Sequence, residues 1–356
     1  MHEKLLQLCF FAERCVILEV NKIRQPPGCS KGVNEIMKEY AFGIDLGGTT
    51  AKIGLFTTAG ALLEKWEVPT DTSNAGEHIL ENLAAAIMGK MQEKAIPAEQ
   101  VEGVGIGVPG PVLDSSVVPI VCANLGGWGQ RNVSAQLSGL LDGLKVLVGN
   151  DANVAALGEI WMGAAKGCRS AVMVTLGTGV GSGIILDGKI VNGVNCAGGE
   201  CGHMVIMVDG EQCSCGRKGC WEAYASATAL IRQTKRAMDD YPDSIMHRLA
   251  AEEGGVNGKT AFDAMRLGDI AGIEVVNNYI KYVSCGLINL VNALQPEIIC
   301  IGGGICNEGD TLMEPLRRYV QAERYSIHSK IQTQIVKAQL GNNAGIIGAA
   351  LLYQVK

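Results

Sequence analysis

Apolar and polar positions alternate over EYAFGID, AKIGLF and ALLEKWEV, and short polar clusters, GGTT and TTAG, separate these runs. A period of two predicts strands, and glycine-bearing breaks predict tight turns, so residues 41–68 are expected to form a three-stranded meander. HILENLAAAIMGKMQEKA follows with apolar residues three and four apart, the spacing of an amphipathic helix. VEGVGIGVP and LKVLVGND are almost wholly apolar until their ends and read as buried strands. ANVAALGEIWMGAAKG then reads as a helix closed by glycine.

AVMVTLGTGVGSGIILDGKIVNG repeats the opening organisation: strand, Gly/Thr turn, strand, Asp-Gly turn, strand. DLGGTTAKIGLF and TLGTGVGSGIIL, about 130 residues apart, each place a Gly/Thr-rich hairpin between apolar strands. Helices are predicted through residues 223–293, EIICIGGGI supplies a last buried strand, and AGIIGAALLYQ a closing helix. The expected class is α/β, in two similar lobes with a cleft between them.

A chain of 356 residues is long for a single core and suits this division. Its 30 basic and 36 acidic residues give a net charge of −6, which argues against a nucleic acid or an anionic membrane as the main partner. Thirteen cysteines, mostly within apolar runs, do not read as a disulfide framework; Cys285, Cys300 and Cys306 read as small buried hydrophobes. No apolar run reaches transmembrane length, and a cytoplasmic location is expected. Near the N-terminus LLQLCFF is short, weakly preceded by positive charge and lacks a small-x-small cleavage site. Residues 1–36 therefore read as an upstream extension of the reading frame or a poorly ordered arm, the alternative being a helix that docks on the body or on a partner.

Backbone N–H groups at a glycine turn, with hydroxyls beside them, form a concave anion site. Gly47, Gly48, Thr49 and Thr50 are one candidate, with Lys52 just beyond, and Gly177, Thr178 and Gly179 are the second. Gly302, Gly303 and Gly304 follow a strand and make a third. Two such turns on opposing lobes would clamp a triphosphate, although any one alone reads equally as a tight hairpin. There is no G-x-x-x-x-G-K-[ST] loop, and the turns counted from Gly177 and Gly302 fail G-x-G-x-x-G at its last glycine, which disfavours P-loop and Rossmann sites there. Asp45, at the strand end before the first turn, is placed either to hold Mg²⁺ through water or to stabilise its turn.

Cys213, Cys215 and Cys220 are spaced C-x-C-x4-C, with His203 ten residues earlier. Three thiolates and an imidazole fill a tetrahedral zinc shell and leave no open position, the signature of a structural site. A C-x-C redox pair would leave Cys220 and His203 unused. Glu200 and Glu222 flank the cluster, so the metal would fix two carboxylates, and His203 would have its second nitrogen free for a substrate. Cys201, beside them, has no evident role. In VLVGND, Asn150 and Asp151 sit where a strand gives way to a helix. Either is a favoured N-cap, and Asp151 is equally a candidate base for phosphoryl transfer.

DLGGTT, TLGTGVGSG, ECGH and CSCGRKGC together resemble the ROK family (repressor, open reading frame, kinase) of the actin-like ATPase superfamily, from about Ala41 to the C-terminus. GIDLGGTTAKIGLF, KWEVPTDTS and GNDANVAALGE are most similar to the ATP-dependent bacterial glucokinases of that family. The resemblance implies a two-lobed actin-like, ribonuclease H-like fold, with residues 41–155 and 343–356 in a small lobe and 156–342 in a large one. It also implies ATP with Mg²⁺, conversion of glucose to glucose 6-phosphate, Asp151 as the base, and the structural zinc set already named. Sugar contacts would come from Asn124, Asn150, Asp151, Glu200, His203 and Glu222. A homodimer, with residues 223–293 as a plausible contact, is implied as well; where Cys201 stands, the family more usually has an apolar residue. Rival readings are a kinase for another hexose or an N-acetylhexosamine, a sugar-responsive repressor, and a chaperone or filament protein of the superfamily. Residues 1–40 are short for a helix-turn-helix domain with a linker and hold six basic and five acidic residues, so no DNA-facing patch is expected.

Overall fold

The computed structural model describes residues 38–122 and 125–354; the expectation for the N-terminal arm, and Asn124, lie outside them. Strands β1 (Tyr40–Leu46), β2 (Thr50–Thr57) and β3 (Leu62–Pro69) form the expected meander. With β4 (Val101–Val108) and β7 (Val146–Asn150) they make a five-stranded sheet in the order β3-β2-β1-β4-β7. The second sheet repeats this plan: β8 (Ala171–Leu176), β9 (Val180–Leu186) and the two-residue β10 (Lys189–Ile190), then β11 (Ile298–Gly302) and β12 (Gln334–Lys337), in the order β10-β9-β8-β11-β12. In both sheets the first three strands pair antiparallel and the remaining two join in parallel. The duplication visible in the Gly/Thr hairpins is thus a duplication of the whole sheet.

Helices complete each lobe. In the first lobe α1 (Ile79–Glu93) and α2 (Val133–Leu140) cover one sheet face. A hairpin of β5 (Val117–Cys122) and β6 (Trp128–Asn132) packs there too. The second sheet is covered by helices from the 222–294 segment, the longest being Ile270–Leu294, and by Asp310–Glu323. The Val117–Asn132 hairpin, β12 and the Asp310–Glu323 helix were not expected from the apolar pattern. Pro119 interrupts the first, β12 has only four residues, and Pro315 stands inside the third.

Between the sheets lie two further helices, α3 (Asp151–Met162) and α10 (Ala344–Ala350), which cross each other. Strand periodicity sorts the side chains. Phe42, Ile44 and Leu46 face α1, whereas Ala41 and Gly43 face α10; in β8, Val172, Val174 and Leu176 face the outer helices, and Ala171 and Met173 face α3. Glycines set the spacing. A Cβ on Gly105 would fall 1.8 Å from the Ala349 carbonyl oxygen, one on Gly348 1.8 Å from that of Val154, and one on Gly183 2.5 Å from that of Ala152. The stack of sheet, α10, α3 and sheet closes only because these positions lack side chains.

Candidate active site and metal centre

The periodicity that buries Ile44 and Leu46 turns Asp45 to the α10 side, and in the second sheet it turns Thr175 to the α3 side. Both line a cleft of about 410 Å³, together with Lys52, Gly303 and Lys337 and, from the start of α3, Asp151. Lys52 is the cross-strand partner of Asp45, with its Nζ 4.0 Å from Asp45 Oδ2. Burial pushes the Asp45 carboxyl above its ordinary range against the pull of this ammonium. Gly303 has φ 92°, and a Cβ there would lie 2.4 Å from the Leu176 carbonyl oxygen, so glycine alone brings the end of β11 against the end of β8.

The two Gly/Thr turns follow directly on the strand ends that carry Asp45 and Thr175. The first is closed by Gly47 N–H donating to Thr50 O (3.2 Å) and by Thr70 Oγ1 donating to Gly47 O (2.7 Å). In the second, Gly177 O accepts from Ala227 N (2.8 Å) and Thr178 O from Thr228 Oγ1 (2.8 Å), which anchors the turn to the helix Ala227–Asp240. The N–H groups of Gly48, Thr49, Thr178 and Gly179 have no partner among the described residues, as an anion cradle requires.

The choice left open at the start of α3 is resolved by hydrogen bonding. Asn150 is the N-cap, its Oδ1 accepting from Asn153 N at 3.0 Å, while its Nδ2 donates to Gly110 O and to Asp151 Oδ1, each at 3.1 Å. Asp151 is therefore not the N-cap; its Oδ1 accepts from Asn150 Nδ2 and from Ala152 N (2.7 Å), which together orient the carboxylate. Its side chain is exposed at the cleft mouth, and its pKa is raised to about 6. Desolvation is the main cause, with the charges of Asp45 and Glu200 adding to it. Glu200 is therefore electrostatically close to Asp151, and it opens the turn Cys201–His203, His203 N donating to Glu200 O at 3.1 Å.

Ligand atoms of His203, Cys213, Cys215 and Cys220 all lie within 4.8 Å of one another. His203 Nδ1 is 3.6 Å from Cys213 Sγ, and Cys215 and Cys220 Sγ are 3.7 Å apart. These match the edge, about 3.8 Å, of a tetrahedron with Zn–S bonds of about 2.3 Å. Burial pushes the Cys220 thiol up to about 12 and raises that of Cys213, whereas the Arg217 backbone N–H pulls Cys215 down. The buried thiols of Cys213 and Cys220 become thiolates together only around a cation, so the residues fit zinc. Gly219 (φ 79°) lets the knuckle close, since a Cβ there would meet the Met207 carbonyl oxygen at 1.7 Å. Glu222 joins the knuckle to the second Gly/Thr turn: its Oε1 accepts from Ser214 Oγ (2.8 Å) and its Oε2 from Val180 N (3.1 Å).

Comparison with known proteins agrees with this geometry. The ROK family model matches residues 41–356. The chain belongs to the ROK family. A glucokinase from Halalkalibacterium halodurans is 36% identical over 312 residues, covering 87% of this chain and 93% of that protein. A putative xylose repressor from a Caldicellulosiruptor species is 30% identical over 344 residues, 95% of this chain and 80% of that one. Among solved structures, a ROK family glucokinase from Streptomyces griseus in complex with glucose and AMPPNP superposes with a TM-score of 0.72 at 32% identity, covering 88% of this chain and 98% of that chain. The fold is the two-lobed actin-like ATPase fold.

Seen as a ROK protein, the chain brings Asp45, Lys52, Asp151 and the 302–304 turn to one cleft, sets Glu200 near Asp151, and gathers His203, Cys213, Cys215 and Cys220 into one candidate metal set. Glu222 is turned in this structure towards Val180 N and Ser214 rather than into the cleft that Asp151 lines. Thr175, Lys337 and Gly345 are among the lining residues not anticipated from the sequence. Thr175 occupies in VTLGTG the place of Asp45 in IDLGGT, and aligning the two hairpins would have found it. Lys337 ends β12, a strand whose apolar pattern was too short to read.

Proposed function

We propose that this ROK protein is an ATP- and Mg²⁺-dependent hexokinase whose preferred sugar is glucose, releasing glucose 6-phosphate and ADP. The observation that carries the reading is Asp151: aimed by Asn150 and Ala152 N, and held at a pKa of about 6 in a cleft that the 302–304 turn also lines. A carboxylate so placed accepts the proton of a sugar hydroxyl as its oxygen attacks the γ-phosphorus, and the phosphoryl–oxygen bond to ADP breaks. The unpartnered N–H groups of Gly48, Thr49, Thr178 and Gly179 suit the phosphate oxygens, and Lys52 adds charge. Asp45 would hold Mg²⁺, which neutralises phosphate charge when bound.

Sugar hydroxyls are assigned to Asn124, Asn150, Asp151, Glu200, His203 and Glu222. His203 Nδ1 faces the thiols, which leaves Nε2 for a hydroxyl. Zinc on His203, Cys213, Cys215 and Cys220 would fix this wall without entering the chemistry. The glucose- and AMPPNP-bound S. griseus glucokinase supports both substrates. The reading includes a homodimer in the cytoplasm; no helix among the described residues is long and apolar enough to cross a membrane. ADP release measured against a panel of hexoses and N-acetylhexosamines tests it, with glucose expected to give the highest kcat/KM and silence with every sugar refuting it. A second reading, a sugar-responsive repressor, is favoured by the repressor match over 95% of the chain. Specific operator binding in a gel shift would establish that reading.

A further inference from the structure

A second groove joins the lobes on the other side of α3. Asn153 follows Asp151 by two residues, about 200° around the helix, and so faces away from the phosphate cleft. It lines a cavity of 280 Å³ whose walls include Asp114 and Ser115 from the first lobe, Asn192 and Cys196 from the second, and Asn150 at the head of α3, where the groove adjoins the assigned sugar contacts. Asn153 is only 7% exposed, and its Oδ1 has no hydrogen-bond partner; Nδ2 donates to Asn192 Oδ1 at 3.2 Å. An adjoining cavity of 390 Å³ shares Ser115, Ile190, Asn192 and Leu352 with the first and adds Lys145, Lys189 and Tyr353. Neither lysine has an ion-pair partner among the described residues, and the Tyr353 hydroxyl is buried without a partner.

One end of this groove therefore offers amide, hydroxyl and carboxylate groups beside apolar walls, a surface for a polyhydroxylated body. The other end offers two unpaired ammonium groups, a surface for a dianion. Orphaned buried polar atoms at both ends are groups that a ligand would satisfy.

We propose that this interlobe groove binds a phosphorylated sugar, its hydroxyls on Asn153, Asn192 and Ser115 and its phosphate on Lys145 and Lys189. A ligand held by both lobes is linked to their spacing, and through it to the phosphate cleft on the far side of α3. The proposal rests on the kinase reading only for the choice of probe.

Calorimetric titration of glucose 6-phosphate into the full chain, with glucose and AMPPNP saturating, tests the site without needing turnover. A saturable binding event is expected that weakens about tenfold or more in the Lys145→Ala/Lys189→Ala double variant. That variant is expected to keep wild-type kcat, KM and unfolding temperature. Inorganic phosphate, lacking the sugar, is expected to bind about tenfold more weakly than glucose 6-phosphate. Absence of binding, equal binding by the double variant, or phosphate binding as tightly as the sugar phosphate would each overturn the proposal. Loss of turnover with every sugar, alongside intact binding, would overturn the kinase reading and leave the groove standing.

Discussion

Asp151 makes a quantitative demand on the pH profile. An ordinary aspartate titrates near pH 4, whereas desolvation and the charges of Asp45 and Glu200 raise Asp151 to about 6. If Asp151 is the proposed base it works only as the carboxylate, so kcat/KM should rise with pH through the value of the free enzyme. At pH 5 a group of pKa 6 is ionised in about one molecule in eleven, so kcat/KM should lie about elevenfold below its plateau. A group of pKa about 4 would lose only about a tenth at the same point. Initial rates of ADP formation at low glucose between pH 4.5 and 8.5 decide between them. Glu200→Gln removes one of the charges that raise the pKa, so its acid limb should move to lower pH even where its rate falls. A wild-type limb centred near pH 4, or one that Glu200→Gln leaves in place, would refute the electrostatic account of Asp151.

Other consequences are independent of that profile. Ionising Asp151 opposes folding: the cost is absent below pH 4, grows as pH rises through about 6, and is softened by cleft solvent. Asp151→Asn should therefore raise stability by about 1 kcal/mol at pH 8 and by nothing at pH 4, read by urea unfolding. Purified protein should carry about one zinc ion by mass spectrometry, and Cys220→Ser should lose it together with several degrees of unfolding temperature. Glu159, only 1% exposed, accepts from the backbone N–H groups of Ala164 (2.7 Å), Gln339 (3.2 Å) and Leu340 (2.8 Å). Glu159→Gln turns an amide donor towards those donors and should cost about 2 kcal/mol by the same assay. Gly348→Val drives a side chain into the Val154 carbonyl and should cost about 3 kcal/mol or abolish soluble expression.

Much of the fold was legible because its signals are local and repeated. The alternation in AFGID and the matching Gly/Thr hairpins pointed to one sheet twice, and the C-x-C-x4-C spacing with a nearby histidine pointed to four side chains that the fold gathers as a candidate metal centre. What stayed hidden depends on long-range packing. QIVK becomes a strand only because β11 offers it a parallel edge, and Lys337 enters the cleft with it. The Asp310–Glu323 helix carries Pro315, a local breaker overridden by burial of Leu312, Met313, Leu316 and Val320. The roles of Asn150 and Asp151 could not be divided from composition, since both suit a cap. Only the bond from Asn153 N to Asn150 Oδ1 separates them.

The account stands most directly on ADP release with glucose, compared between the wild type and Asp151→Asn. Removing the base should cut kcat by about 10²- to 10⁴-fold, while glucose affinity stays within about threefold. Asp151→Asn turning over glucose at a rate near the wild type's would contradict the assignment of chemistry to this cleft.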